Sequence, residues 1–175
     1  MFVKSVYGHS VNRFKSNNCG DIGPDITNTI SIDQFCQFLE TPFGDQCVLS
    51  FDDGYLDNLT VVLPILEKYK KTAMIFITTG FMNRTHIPVE RLIAYAIESD
   101  PSTKVFNKLW GNDWNAPPSK LEAYNKAKIL FRRITVEHRD GLVKYLISEL
   151  GIDKIKFVDD FMNAEQVASI DKHPL

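Results

Sequence analysis

Two adjacent carboxylates follow a short apolar run in the first half of the chain. The run Ser50-Phe51-Asp52-Asp53-Gly54-Tyr55 places Asp52 and Asp53 after residues of strand type and before a glycine that permits a sharp turn. Neighbouring side chains at a strand end point to different sides. One carboxylate can therefore bind a divalent metal while the other acts as a base on the metal-bound water. The same residues also suit a structural turn, because aspartate side chains accept hydrogen bonds from free N–H groups.

The segments around this pair predict a strand, a helix and a second strand. The apolar runs 46–51 and 73–79 have the composition of buried strands, and the segment from Asp57 or Asn58 to about Lys70 has that of a helix. Such a unit makes the two strands parallel. The carboxyl ends of parallel strands form the edge where α/β proteins place their active sites.

The remaining sequence predicts mainly helices. Ser119 and Glu122 have the spacing of a capping box, and the helix that they begin would turn Leu121 and Tyr124 inward. Segments 12–29 and 107–118 have the composition of loops, and the second contains Trp110 and Trp114, which would stack on sugar rings or lie partly buried under the loop. We expect helices over 31–39, 88–99, 119–134 and 135–150, and a further helix start at Asn163.

Length and composition limit the class of protein. The 175 residues predict one domain and fall short of the roughly 200–250 residues of a complete eight-unit barrel. Twenty basic and 22 acidic residues give a net charge of −2, which offers no footprint for nucleic acid. Cys19, Cys36 and Cys47 lack the spacing of a disulfide framework or zinc knuckle. Without a signal peptide or a membrane-spanning apolar run, we expect a cytoplasmic protein.

Several segments have the form and order of one motif block, and together they resemble the polysaccharide deacetylases, the NodB-homology group also called carbohydrate esterase family four. Ser50–Tyr55 is similar to that family's T/S-F-D-D-G-Y motif. The other similar segments are Asp57-Asn58, Leu63–Leu66, Thr72–Ile77, the opening Tyr7–Val11 and the helix start Met162–Val167.

The resemblance implies a fold, a reaction and two site residues. It implies a distorted (β/α) barrel that hydrolyses the acetamide of an N-acetylated sugar or glycan. By the same resemblance Asp52 is the catalytic base and Asp53 is a ligand to a divalent metal, usually zinc.

The metal-binding histidine motif of that family, H-[ST]-x-x-H, does not occur in the sequence. The histidines are His9, His86, His138 and His173, and no two of them are four residues apart. Zinc requires three or four protein ligands, so Asp53 alone is a poor site. We therefore expect a polysaccharide deacetylase-like chain that is inactive by itself and whose metal site is doubtful.

The expected fold is α/β, a partial distorted (β/α) barrel with parallel strands and a largely helical C-terminal half. Residues 1–175 would form a single incomplete NodB-homology domain with its metal and base motif at 50–55 and a helical insertion at about 88–150. An incomplete barrel leaves an open strand edge and uncovered apolar faces, so we expect homo-oligomers or poor solubility.

Two alternatives remain open from the sequence. His9 is the best substitute ligand, because the family's opening strand lies beside the site, but it also suits a structural role near the chain start. The chain could instead be a non-catalytic glycan- or partner-binding module derived from the deacetylase fold. A reading frame that continues from Leu175 into H-[ST]-x-x-H would favour the enzyme over the module.

Overall fold

The computed structural model describes residues 5–11, 29–100, 102–115, 117–153 and 158–173. These residues fall into two compact units, the first made of 5–11, 29–86 and 158–173 and the second of the remainder. Of the loop predicted over 12–29, residues 12–28 lie outside the described residues, as does the thiol of Cys19, and Thr29 begins a short strand. Within the described ranges, no helix is long and apolar enough to cross a membrane.

A three-stranded parallel sheet forms the centre of the first unit. Strands β1 (Ser5–Gly8), β4 (Val48–Phe51) and β5 (Ala73–Ile75) lie in the order β1-β4-β5. The short strands β2 (Ser10–Val11) and β3 (Thr29–Ile30) form a separate parallel pair. The pairing of β4 with β5 confirms the parallel strands predicted from the sequence and establishes an α/β fold.

Helices account for most of the remaining described residues. In chain order they are α1 (Ile32–Leu39), α2 (Pro42–Gln46), a π-helical turn (Asn58–Val62) that continues into α3 (Leu63–Tyr69), α4 (Thr79–Met82), α5 (Val89–Ser99), α6 (Lys104–Trp110), α7 (Lys120–Arg133), α8 (Val136–Glu149) and α9 (Ala164–Asp171). Helices α1 and α9 begin after Ser31 and Asn163, as the sequence predicts, and each has a capping box. At the predicted box, Ser119 accepts from the Glu122 N–H, which is one half of the motif. Helix α2 is not predicted, and it forms because Thr41 caps the Gly44 N–H.

The two faces of the sheet differ in burial. Leu49 and Phe51 of β4 are buried against Phe35 of α1 and other apolar side chains. The strand register places Tyr7, Ser50 and Met74 in one row on the opposite face, where Tyr7 is 75% and Met74 52% exposed. Parallel sheets usually have both faces covered. The described strands therefore form an open sheet and not a closed barrel.

The second unit is helical and has its own core. Leu92, Ile93 and Ile97 of α5 and Ala127 and Phe131 of α7 are all buried. The helices predicted to begin near Ser119 and Thr135 are present as α7 and α8. Burial of these side chains, more than helix propensity, stabilises such short helices.

Two predictions for this unit are wrong. Residues 107–110 continue helix α6 where the sequence predicts a loop. Trp114 follows the predicted alternative of burial, more completely than expected, and donates from Nε1 to Thr103 Oγ1 at 2.8 Å. Stacking of Trp110 on Phe106, with ring centroids 5.2 Å apart, outweighs the loop-like composition. Leu121, predicted to face the core, is 57% exposed because it lies in the first turn of α7, on its outer side.

The uncovered sheet face leads us to expect self-association that a charge on this face would weaken. In Met74→Lys, an ammonium replaces an exposed thioether, so desolvating the face would cost more free energy. Sedimentation velocity over a concentration series should show less association for this variant than for the wild type. Ala168→Lys, at an exposed position on α9, is the matched control. Equal sedimentation of all three proteins at every concentration would contradict this expectation.

Candidate active site

A sharp turn at the end of β4 carries the paired carboxylates. The N–H of Asp52 donates to the Gly8 carbonyl oxygen at 2.9 Å, which extends the β1–β4 ladder by one bond. Asp53 and Gly54 then both adopt left-handed backbone conformations, with φ of 70° and 73°. A Cβ at Gly54 would approach Ile77 Cδ1 to 2.8 Å, so glycine also meets a steric requirement here.

Asp53 receives contacts from residues that follow both neighbouring strands. Its Oδ2 lies 3.1 Å from His9 Nδ1, and its Oδ1 accepts a hydrogen bond from Thr78 Oγ1 at 3.0 Å. The side chains of His9 and Asp53 are 25% and 34% exposed. His9 follows β1 and Thr78 lies shortly after β5, so the carboxyl ends of all three strands meet at this carboxylate.

This geometry answers one open point and adds one residue. The sequence leaves open whether His9 approaches the site, and the structure places it against Asp53. Thr78 is not predicted, because a threonine three residues beyond a strand has no motif to mark it. The parallel register of β5 beside β4 is the signal that could have identified it.

Asp52 differs from Asp53 because its carboxylate accepts no hydrogen bond from a described residue. Its side chain is partly exposed and has no hydrogen-bond partner among the residues that the structure describes. A carboxylate that accepts a proton must have a free oxygen within reach of the reacting group. Asp52 meets the first of these requirements, and Asp53, bonded through both oxygens, does not.

A buried pair, Asp57 and Asn58, holds the segment that contains His9. Asp57 Oδ2 accepts hydrogen bonds from the Val11 N–H at 2.9 Å and from the Ser10 hydroxyl. Asn58 Nδ2 donates to Asp57 Oδ1 and to the His9 carbonyl oxygen, each at 3.2 Å. Asp57 does not cap the following helix through its side chain, because Ser10, Val11 and Asn58 donate to its oxygens instead.

Burial changes the acidity of Asp57. Removal from water raises the pKa of this carboxyl, hydrogen bonds from Ser10 and Val11 oppose the shift, and the nearby Asp160 carboxylate adds to it, so that the pKa is about 6. The side chain is fully buried. Its negative charge is therefore costly to the folded protein at neutral pH.

Residues from the end of the first unit close on the same turn. The Met162 N–H donates to the Gly54 carbonyl oxygen at 2.9 Å, and the Leu56 N–H donates to the Asp160 carbonyl oxygen at 2.7 Å. The rings of Tyr55 and Phe161 lie 4.5 Å apart. These contacts from residues 160–162 hold in place the turn that carries Asp53.

The described residues do not complete a zinc site. No group of three or more His, Cys, Asp or Glu side chains that could hold a metal occurs among them. Asp53 and His9 provide two donors, whereas zinc requires three or four. His86 and His138 are exposed and contact neighbouring threonines, and His173 Nε2 pairs with Glu67 at 2.7 Å.

Comparison with known proteins gives one match. A family model for polysaccharide deacetylase matches residues 41–141, more than half of the chain. The matched region includes Asp52, Asp53 and Thr78, and begins after His9. No curated protein and no solved structure gives a significant match.

Replacing Asp57 by Asn should remove one component of the pH dependence of stability. The folded-state pKa of about 6 lies above the ordinary value of 3.8, so the folded protein keeps a proton that the unfolded chain loses. The stabilisation is fully present below the ordinary value and is lost as the pH rises through the folded value. The free energy of unfolding of wild type minus that of D57N should fall by about 2.5 kcal/mol from pH 4 to pH 7.

Urea unfolding at intervals over this pH range measures that difference. Asp159→Asn, which changes an exposed carboxylate, is the control and should show a difference that varies little with pH. A wild-type minus D57N difference that stays constant across the range would show that Asp57 does not titrate as described.

Proposed function

The chain belongs to the polysaccharide deacetylase family, and we propose that its first unit carries the base-bearing part of a site that hydrolyses N-acetyl groups on a glycan. One observation carries the proposal: Asp52 and Asp53 lie at the carboxyl end of the central strand, and residues beyond both neighbouring strands bind Asp53. In this proposal the chain is a single NodB-homology domain, a partial distorted barrel in which about 88–150 is a helical insertion.

Asp52 is the proposed catalytic base. Its carboxylate is partly exposed and is not engaged by other described side chains, so it can take a proton from an attacking water. The fixed backbone at its N–H, bonded to Gly8, holds it at the strand end. A base positioned in this way contributes about 10²–10⁴-fold to a hydrolytic rate.

Asp53 is the proposed metal-binding carboxylate. The hydrogen bond from Thr78 orients one of its oxygens, as a supporting residue does for a ligand in a metal site. His9 is the imidazole that contacts Asp53 among the described residues and supplies the second donor. Polysaccharide deacetylases generally depend on a divalent metal, and two donors are fewer than zinc requires.

We therefore propose that this chain does not deacetylate glycans by itself. The printed sequence contains no pair of histidines four residues apart that could complete the donor set. The alternative is a non-catalytic module that binds a glycan or a partner protein. The exposed row at Tyr7 and Met74 favours that alternative, because an uncovered apolar face suits an interaction surface.

Acetate release from an N-acetylated chitooligosaccharide in the presence of Zn²⁺ tests the proposed reaction. The chain alone should release none above background. A fusion that adds a segment with H-[ST]-x-x-H from another family member should release acetate, and Asp52→Asn should lower its rate by at least about 10²-fold. Asp159→Asn is the matched control and should leave the rate unchanged.

Two outcomes would count against this proposal. A fusion that unfolds cooperatively yet releases no acetate would refute the deacetylase assignment. Acetate release by the chain alone, abolished by Asp52→Asn, would refute its inactivity while supporting the role of Asp52.

Zinc titration followed by calorimetry measures the completeness of the metal site. With Asp53 and His9 as donors, the chain should bind Zn²⁺ no more tightly than about 1 µM, which corresponds to about −8 kcal/mol. His9→Ala and Asp53→Asn should each weaken what binding remains, whereas His138→Ala should not. A stoichiometric site in the nanomolar range that Asp53→Asn abolishes would show that the donor set is complete.

A further inference from the structure

An open groove lies entirely within the second unit. Its volume of about 620 Å³ is within the range of about 300–1,000 Å³ that is typical of small-molecule sites. It lies between the end of α6, the turn that follows and the outer side of α7. Its lining includes Trp110, Asp113, Lys126, Ile129, Leu130 and Arg133.

Trp110 gives this groove a rigid aromatic wall. Its ring stacks on Phe106 at an interplanar angle of 5°, and its centroid is 5.5 Å from that of Trp114. Trp114 is itself fully buried and bonded to Thr103. The partly exposed Trp110 ring is therefore held in place before any ligand arrives, which reduces the entropy lost on binding.

Three polar groups of the groove, those of the Asp113 and Arg133 side chains and the Trp110 indole, make no hydrogen bond or ion pair with a described residue. Lys126 differs, since its ammonium donates to the Trp114 and Asn115 carbonyl oxygens. An available carboxylate and available donors thus flank the aromatic wall.

We propose that this groove binds a neutral glycan. The Asp113 carboxylate lies in the same lining as the Arg133 and Lys126 cations, so a ligand of either charge would meet a like charge. Sugar hydroxyls both donate and accept, and can pair with the Asp113 carboxylate and with the Arg133 and Trp110 N–H groups together. The apolar face of a sugar ring packs on the indole of Trp110. The choice of an N-acetylated glycan rests on the proposed function, whereas the groove uses no residue of the candidate active site.

Titration of the full chain with an N-acetylated chitooligosaccharide, followed by calorimetry and by tryptophan fluorescence, tests this proposal. Trp110→Ala should weaken binding about tenfold, and Trp110→Phe, which keeps an aromatic ring but loses the N–H, should weaken it less. Arg133→Ala, at an exposed position, should weaken binding without lowering the melting temperature. Lys144→Ala, an exposed cation on α8, is the matched control and should bind like the wild type.

Asp52→Asn separates this inference from the proposed function. Glycan binding that is unchanged in Asp52→Asn and weakened in Arg133→Ala and Trp110→Phe places the glycan in the groove, whatever the fusion protein's acetate release shows. Glycan binding that is lost in Asp52→Asn but persists in both groove variants would refute glycan binding in the groove and leave the proposed function intact. The absence of any glycan binding by the wild type would overturn the groove as well.

Discussion

A buried carboxylate, Asp57, ties the opening strand to the helix that follows β4, and the candidate site depends on that connection. Its oxygens bind Ser10 and Val11, and its neighbour Asn58 binds the carbonyl of His9. His9 in turn contacts Asp53. Because unpaired buried polar groups are costly, this set of bonds makes the position of the opening segment nearly unique. The first residues of the unit and its central turn are thus fixed by side-chain hydrogen bonds as well as by strand pairing.

One face of the three-stranded sheet is buried, and the other is exposed. Leu49 and Phe51 of β4 are buried in the hydrophobic core, whereas Tyr7 and Met74 on the opposite face are exposed to solvent. The paired carboxylates lie at the end of this same sheet, so the candidate site adjoins the uncovered face. An added layer on the open face would lower the local dielectric constant, which strengthens every charge interaction near Asp52 and Asp53.

Local chemistry in the sequence predicts much of this fold, and long-range packing supplies the rest. The helix starts at Ser31 and Asn163 and the parallel strands around Asp52 follow from short motifs and apolar runs. The hydrogen bond of Thr78 to Asp53 joins residues 25 positions apart, and no periodicity encodes it. Trp110 was predicted in a loop from its Gly, Asn and Pro neighbours, whereas stacking on Phe106 stabilises a helix there.

At position 53 the left-handed backbone favours glycine, whereas the hydrogen bonds to His9 and Thr78 require a carboxylate. Glycine would adopt a φ of 70° at lower cost than aspartate, although it would lose the bonds to His9 and Thr78. Without selection for a carboxylate, a change from aspartate to glycine at position 53 would therefore meet little conformational resistance. Natural variation at position 53 would therefore record whether a lineage still uses this site, independently of any assay.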